Sequence, residues 1–121
     1  MINDNYLNGL AQLMTGESYT ITSHLAFGST TGTLTATDVV TSGEFDRNPL
    51  DNSLTSGMVA KFIGSRSSTE AGNERINLIS FVNSGVASGT GDIQANMLVA
   101  SLLHTSAFSV EAEMWITHAR V

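Results

Sequence analysis

The chain of 121 residues contains no cysteine, which excludes a disulfide framework, zinc–thiolate and iron–sulfur ligation and a thiol nucleophile. Cations are almost as scarce. Only Arg47, Lys61, Arg66, Arg75 and Arg120 are basic, spread along the chain against 11 acidic residues, for a net charge of -6. A phosphate-binding surface needs clustered cations, so nucleic acid is not expected as a partner. No run approaches the roughly 20 apolar residues of a membrane span, so no membrane insertion is expected. The amino terminus also lacks the basic, apolar, small-residue order of a signal peptide. The chain therefore reads as a complete, unprocessed soluble product.

Charged residues make up 13% of the chain, against roughly 25% in an ordinary soluble domain. Ser and Thr together number 29, so the expected surface is neutral and rich in hydroxyls. Charge repulsion protects such a surface poorly, which is tolerable where neighbouring subunits cover it; a homo-oligomer is expected. The length fits one domain over residues 1–121 with its own core. Within it, residues 1–15 read as an amphipathic helix or docking arm and residues 16–121 as a β-sandwich.

Between positions 2 and 14, Ile2, Tyr6, Leu7, Leu10, Leu13 and Met14 recur at helical spacing, with Asn3 or Asp4 placed to cap and Gly16 to terminate. Gly9 inside this stripe costs about 1 kcal/mol relative to Ala, so the helix depends on packing. The period then changes to two. Tyr19, Ile21, Leu25 and Phe27 fall on one face of an expected strand, with Thr20, Thr22 and His24 on the other. Residues 28–37 (GSTTGTLTAT) read as an exposed loop, a brief strand follows over residues 39–45, and DRNPLDN places a sharp turn at Asn48 and Pro49.

Positions 58–63 form a third apolar run, closed by a polar loop, GSRSSTEAGNE. Positions 76–82 are almost continuously apolar, as in a strand covered on both faces. After the loop NSGVASGTGD, positions 93–103 fit a strand or a helix turn and are read as a strand. The clearest alternation is the last, with Phe108, Val110, Ala112, Met114 and Ile116 against Ser109, Glu111, Glu113, Trp115 and Thr117. The expected fold is mainly β, an antiparallel sandwich or barrel with one short amino-terminal helix.

Little in this pattern points to catalysis. Glu111 and Glu113, two apart on a strand, sit side by side on its polar face rather than across a cleft, and there they discourage edge pairing. His24, His104 and His118 stand alone, without metal-ligand spacing. No serine occupies a Gly-x-Ser-x-Gly elbow, and GSTTGT lacks the Lys of a phosphate loop. Asp46, Asp51 and Asp92 lie in expected loops without the alternating acids of a calcium site. No metal, cofactor or enzymatic activity is expected. Trp115 is either a core residue of a doubly covered sheet or an exposed ring able to stack on a sugar or anchor a protein.

The succession SGEFDRNPL, ERINLISFVNS, GDIQANMLVAS and HTSAFSVEAEMWITHARV resembles small virion proteins of tailed bacteriophages and related archaeal viruses, of the tail-fibre, collar or capsid-decoration type. The resemblance covers roughly residues 19–121, with Glu44, Arg47, Ile76, Ile79 and Asn83 at matching positions. Leu78, Ser80 and His104 depart from it. It implies a virion location and assembly rather than catalysis, with own copies, most simply as a trimer, and with capsid, collar or tail proteins as partners. It also implies that Glu44 and Arg47 pair to fix subunit register. Tyr6, Leu7 and Leu10 are then the expected docking face of the helix, and Trp115 a further interface residue. The reading from another class is a carbohydrate-binding module that attaches to a host surface glycan through loop hydroxyls, loop acids and Trp115.

Overall fold

A computed structural model of the chain describes residues 1–30, 32–38, 41–86 and 93–118. Along them run α1 (Asp4–Met14), β1 (His24–Gly28), β2 (Glu44–Pro49), β3 (Asn52–Ser56), β4 (Val59–Arg66), a 3-10 turn (Ser68–Glu70), β5 (Glu74–Val82), β6 (Ile93–His104) and β7 (Val110–Thr117). The strands form two antiparallel sheets, ordered β2-β1-β5-β6 and β3-β4-β7. The fold is thus mainly β and sandwich-like, with one short amino-terminal helix and no closed barrel, as the alternation requires.

Strand β7 buries Val110, Ala112, Met114 and Ile116 and exposes the residues between them. Its partner β4 aligns Ala60, Phe62, Gly64 and Arg66 with those four buried positions. The opposing sheet contributes Leu25, Phe27, Ile79, Phe81 and Ala95 to the same core. The sheets approach closely at one point, where a Cβ on Gly64 would stand 2.9 Å from the Leu25 side chain. That contact requires the absence of a side chain. Strand β5 is buried on both faces from Ile76 to Val82, as expected.

Several boundaries move. The first strand begins at His24, not Tyr19, and the expected facing fails before it: Ile21 is 55% exposed while Thr22 is buried. The reason is that Tyr19 is held by side-chain contacts instead of by a ladder, its hydroxyl standing 3.0 Å from both Asn5 O and Gln94 Oε1 and sharing its one proton between them. The second strand runs from Glu44 to Pro49; positions 39 and 40 of the expected strand lie outside the described residues. Pro49 ends this strand rather than making the turn, because β2 is an edge where a missing N–H is harmless. The chain switches sheets one residue later, at Leu50 and Asp51.

Strand β3 has no counterpart in the sequence reading. All five residues are exposed, so no alternation marks them. Two further corrections concern the expected polar loop, whose first residues continue β4 as far as Arg66, and Phe108, which precedes β7. The helix is capped by Asn3, whose Oδ1 accepts from Asn5 N at 3.0 Å, and it stops at Gly16, where φ is +82°.

Candidate functional site

Helix α1 bridges the two sheets at the end where β6 begins and β7 finishes. Asn5 Nδ2 donates to Ile93 O at 3.2 Å, and Tyr6 Oη lies 3.1 Å from His118 Nε2. Tyr6 is therefore a core residue, 8% exposed, and its burial pushes the phenol pKa up. Leu10 packs half-buried against the core and lines, with Leu13, Tyr19, Ile21 and Phe62, an apolar cavity of about 190 Å³. Of the three helical residues expected to dock, Leu7 alone is freely exposed, at 55%.

Glu44 and Arg47 do form an ion pair, and it lies within one chain. Arg47 Nη2 is 2.6 Å from Glu44 Oε1 and Nε is 3.1 Å from Oε2, a two-pronged contact. Arg47 Nη1 also donates to Ser84 O and Val86 O, tying β2 to the segment after β5. The pair therefore fixes the path of the chain beside an edge strand, with the Arg47 side chain only 6% exposed.

Trp115 faces outward at 61% exposure, which settles its alternatives against the core. Its Nε1 donates to Glu113 Oε2 at 2.9 Å, and Lys61 Nζ stands 4.2 Å from the ring centroid, a cation–π contact on the cross-strand neighbour. The ring borders a groove between the outer strands β6 and β7 of the two sheets, lined by Met1, Ile2, Met97, Glu113 and Met114. The groove is mostly apolar, with Asn96 and Glu113 its polar residues, and the adjoining part of β6 exposes Leu98, Leu102 and Leu103.

The most concentrated polar chemistry escaped the sequence reading. Arg66, on the inward face of β4, is 3% exposed. Its Nε donates to Asp46 Oδ2 at 2.7 Å, Nη1 to Glu74 Oε2 at 3.1 Å and Nη2 to Glu70 O at 2.7 Å. Nη1 also lies 2.8 Å from Nδ1 of His104, which is fully buried, and the guanidinium sits 5.1 Å from the Phe45 ring. A guanidinium only donates, so Nδ1 accepts, and the ring proton sits on Nε2, which donates to Phe108 O at 2.9 Å. Burial pulls the Arg66 pKa down, but hydrogen bonds and charge from Asp46 and Glu74 outweigh it, and the net shift is upward. For Glu70, burial acts upward and is overcome by hydrogen bonds from Asn48 and Ser67, which hold its carboxyl below the usual range. The Gly72 amide, with Arg66, does the same for Glu74.

With every nitrogen of Arg66 engaged and His104 satisfied at both ring nitrogens, this cluster is a tie between β2, β4, β5, β6 and the 3-10 turn, not an open reaction centre. The histidines remain in separate settings, and among the described residues no three His, Asp or Glu side chains converge to hold a metal. Asp46 is committed to Arg66, and Asp92 lies outside the described residues. Comparison with protein-family models, curated proteins and solved structures gave no match in any of the three.

Proposed function

We propose that this chain is a multi-copy structural component of a tailed-virus particle, a capsid-decoration or collar/tail appendage protein that acts by assembly. The observation that carries the reading is the pairing of few charges with many exposed apolar side chains: Leu7, Met97, Leu98, Leu102, Leu103 and Trp115 are all more than a third exposed. Scattered exposed apolar residues are ordinary, but a stretch of them along one uncharged edge strand, as on β6, fits a surface that a partner covers. The family resemblance in the sequence supplies the kind of particle. The test is incubation of the purified chain with purified capsids and, separately, tails of a candidate virus, followed by sedimentation. Co-sedimentation with one of them supports the reading and locates the protein; failure to bind either refutes it.

Trp115 favours a second reading, a module that binds a host surface glycan, since an exposed indole beside a carboxylate is a stacking platform for a sugar. Lys61 already occupies part of the ring's surroundings. Tryptophan emission titrated with a sugar panel distinguishes the two, because Trp115 is the only tryptophan in the chain. Saturable quenching by one sugar supports the glycan reading, and an unchanged spectrum removes it.

A further inference from the structure

An exposed edge strand offers unpaired N–H and C=O groups to any other strand, and proteins ordinarily blunt it with charge, proline or brevity. Three of the four edges here are blunted. Strand β2 carries Glu44, Asp46 and Arg47 and ends on Pro49; β3 is five residues long; β7 presents Glu111 and Glu113. Strand β6 has twelve residues with no Asp, Glu, Lys, Arg or Pro among them.

The chain itself covers the first part of that edge. Met1 O accepts from Asn96 N at 2.9 Å, Asn3 N donates to Gln94 O at 2.9 Å, and Ile2 bridges to Ala95. Beyond Asn96 none of this cover comes from the described residues. Among the described residues no backbone group bonds the outer edge of residues 97–103, and Met97, Leu98, Leu102 and Leu103 are 38–46% exposed there.

The uncovered sequence reads Met-Leu-Val-Ala-Ser-Leu-Leu, nearly the same in both directions about Ala100. Laid antiparallel against itself, it sets Met97 against Leu103, Leu98 against Leu102 and Ala100 against Ala100. The register with β5 makes this consistent: Leu98 and Leu102 stand opposite Leu78 and Ile76, two residues apart, and Met97 and Leu103 opposite Ile79 and Arg75. Each facing pair thus shares one side of the sheet, as direct cross-strand pairs must. Residues 99–101 have no β5 partner, a bulge centred on Ala100, which is exposed; a bulge is itself a device that blunts an edge, and it is the one such device in this part of β6. No like charges meet anywhere along the strand.

We propose that residues 97–103 are a two-fold contact with a second copy of this chain, the two β6 edges lying antiparallel about Ala100. The idea deepens the assembly reading and rests on its premise that the chain associates with itself; it makes the basic unit a dimer rather than the trimer implied by the resemblance.

The absence of cysteine permits a direct test. In an antiparallel pair, opposed Cα atoms lie about 4.5–5.5 Å apart, within disulfide range. Ala100→Cys should therefore give a disulfide-linked dimer under mild oxidation, while Ser106→Cys, in the exposed β6–β7 turn, should stay monomeric on a non-reducing gel. Light scattering on the parent chain should give twice the 12.8 kDa of one chain. Ala100→Lys should return the mass to that of one chain with its circular dichroism spectrum unchanged. A parent chain that is monomeric, or a dimer that the Ala100→Cys substitution fails to link, overturns the contact. A monomer that binds capsids or tails and loses that binding in Ala100→Lys also overturns it, assigning the edge to another protein. A linked dimer that binds neither particle leaves this contact standing and refutes the particle reading alone.

Discussion

Replacing Arg66 with Met tests whether the buried cluster holds the two sheets together. Met fills much of the same volume and removes every donor. Left behind are the His104 Nδ1 acceptor, fully buried, the Glu70 carbonyl, and the carboxylates of Asp46 and Glu74, whose side chains are 27% and 33% exposed and so are rehydrated in part. Removing one partner of a buried ion pair costs about 3–5 kcal/mol, and an orphaned buried acceptor alone about 1–3 kcal/mol. The partial exposure of Asp46 puts the expected loss near the lower end, about 3 kcal/mol. With a urea slope of about 2 kcal/mol/M the unfolding midpoint should fall by about 1.5 M at unchanged slope. Arg66→Lys, which keeps the charge but not the planar fork, should lose less. Adding His104→Leu to Arg66→Met should cost less than the sum of the two single changes, because the orphaned acceptor disappears. A loss below about 1 kcal/mol for Arg66→Met, or strict additivity in the double variant, would refute this account.

Other expectations follow from the same contacts. The carboxyls of Glu70, Glu74 and Asp38 are held below the usual range, the last chiefly by the Thr35 hydroxyl and amide. Stability should therefore be complete above the unfolded carboxylate values of about 4 and fall as pH drops through the lower folded values, which melting curves between about pH 6 and pH 2 will show; a flat profile would contradict it. Gly9→Ala should destabilise by about 1–3 kcal/mol although helix propensity favours Ala, because a Cβ there would overlap the Tyr19 ring. Denaturant melts settle the sign. Trp115→Ala should cost under about 1 kcal/mol, the scale of its cation–π contact with Lys61, rather than the roughly 3–5 kcal/mol of a core tryptophan.

Where one face of an element meets the core and the other meets water, the fold was legible from composition and period alone. Strand β7 is the clearest case, and the Gly16 stop of α1 and a cap at Asn3 or Asp4 were readable because capping is local chemistry, the structure placing the cap at Asn3. Strand β3 was not, since a five-residue edge exposed throughout carries no alternation. Tyr19 and Ile21 matched a strand period without forming one, because the tyrosine hydroxyl is drawn to Asn5 and Gln94, 14 and 75 residues away. Pro49 reads as a turn wherever it occurs; only the knowledge that β2 is an edge makes it a strand end.

The candidate site divides in the same way. Glu44 and Arg47 were singled out by the resemblance and not by any local pattern, and the carbonyls that complete the arginine's shell come from Ser84 and Val86, which nothing in the sequence connects to β2. Arg66 lay within an apparent polar loop, and its one local signal was parity: it continues Phe62 and Gly64 on the inward face of β4. An inward-facing arginine demands partners, yet these are contributed by β2, the segment from the 3-10 turn into β5, and the end of β6, so their identity is a property of the tertiary structure.

The scarcity of cations has a sharper meaning once the contacts are known. Arg66 and Arg47 are engaged by carboxylates inside the chain, Lys61 lies over Trp115, and Arg75 Nη1 reaches Ser101 Oγ at 3.4 Å. All four described cations thus have intramolecular partners, and three stabilise edges or the cluster beneath them. Only Arg75 reaches residues 97–103 of β6, through its long hydrogen bond to Ser101 from the neighbouring strand, and none of the four stands on that edge itself. Spending positive charge on internal ties while leaving the longest edge neutral gives a surface with little electrostatic barrier to association, and the barrier is lowest where the sequence is most nearly symmetric about Ala100. A lysine introduced at that position therefore changes the one feature on which the two-fold contact depends, without disturbing any hydrogen bond that holds the fold.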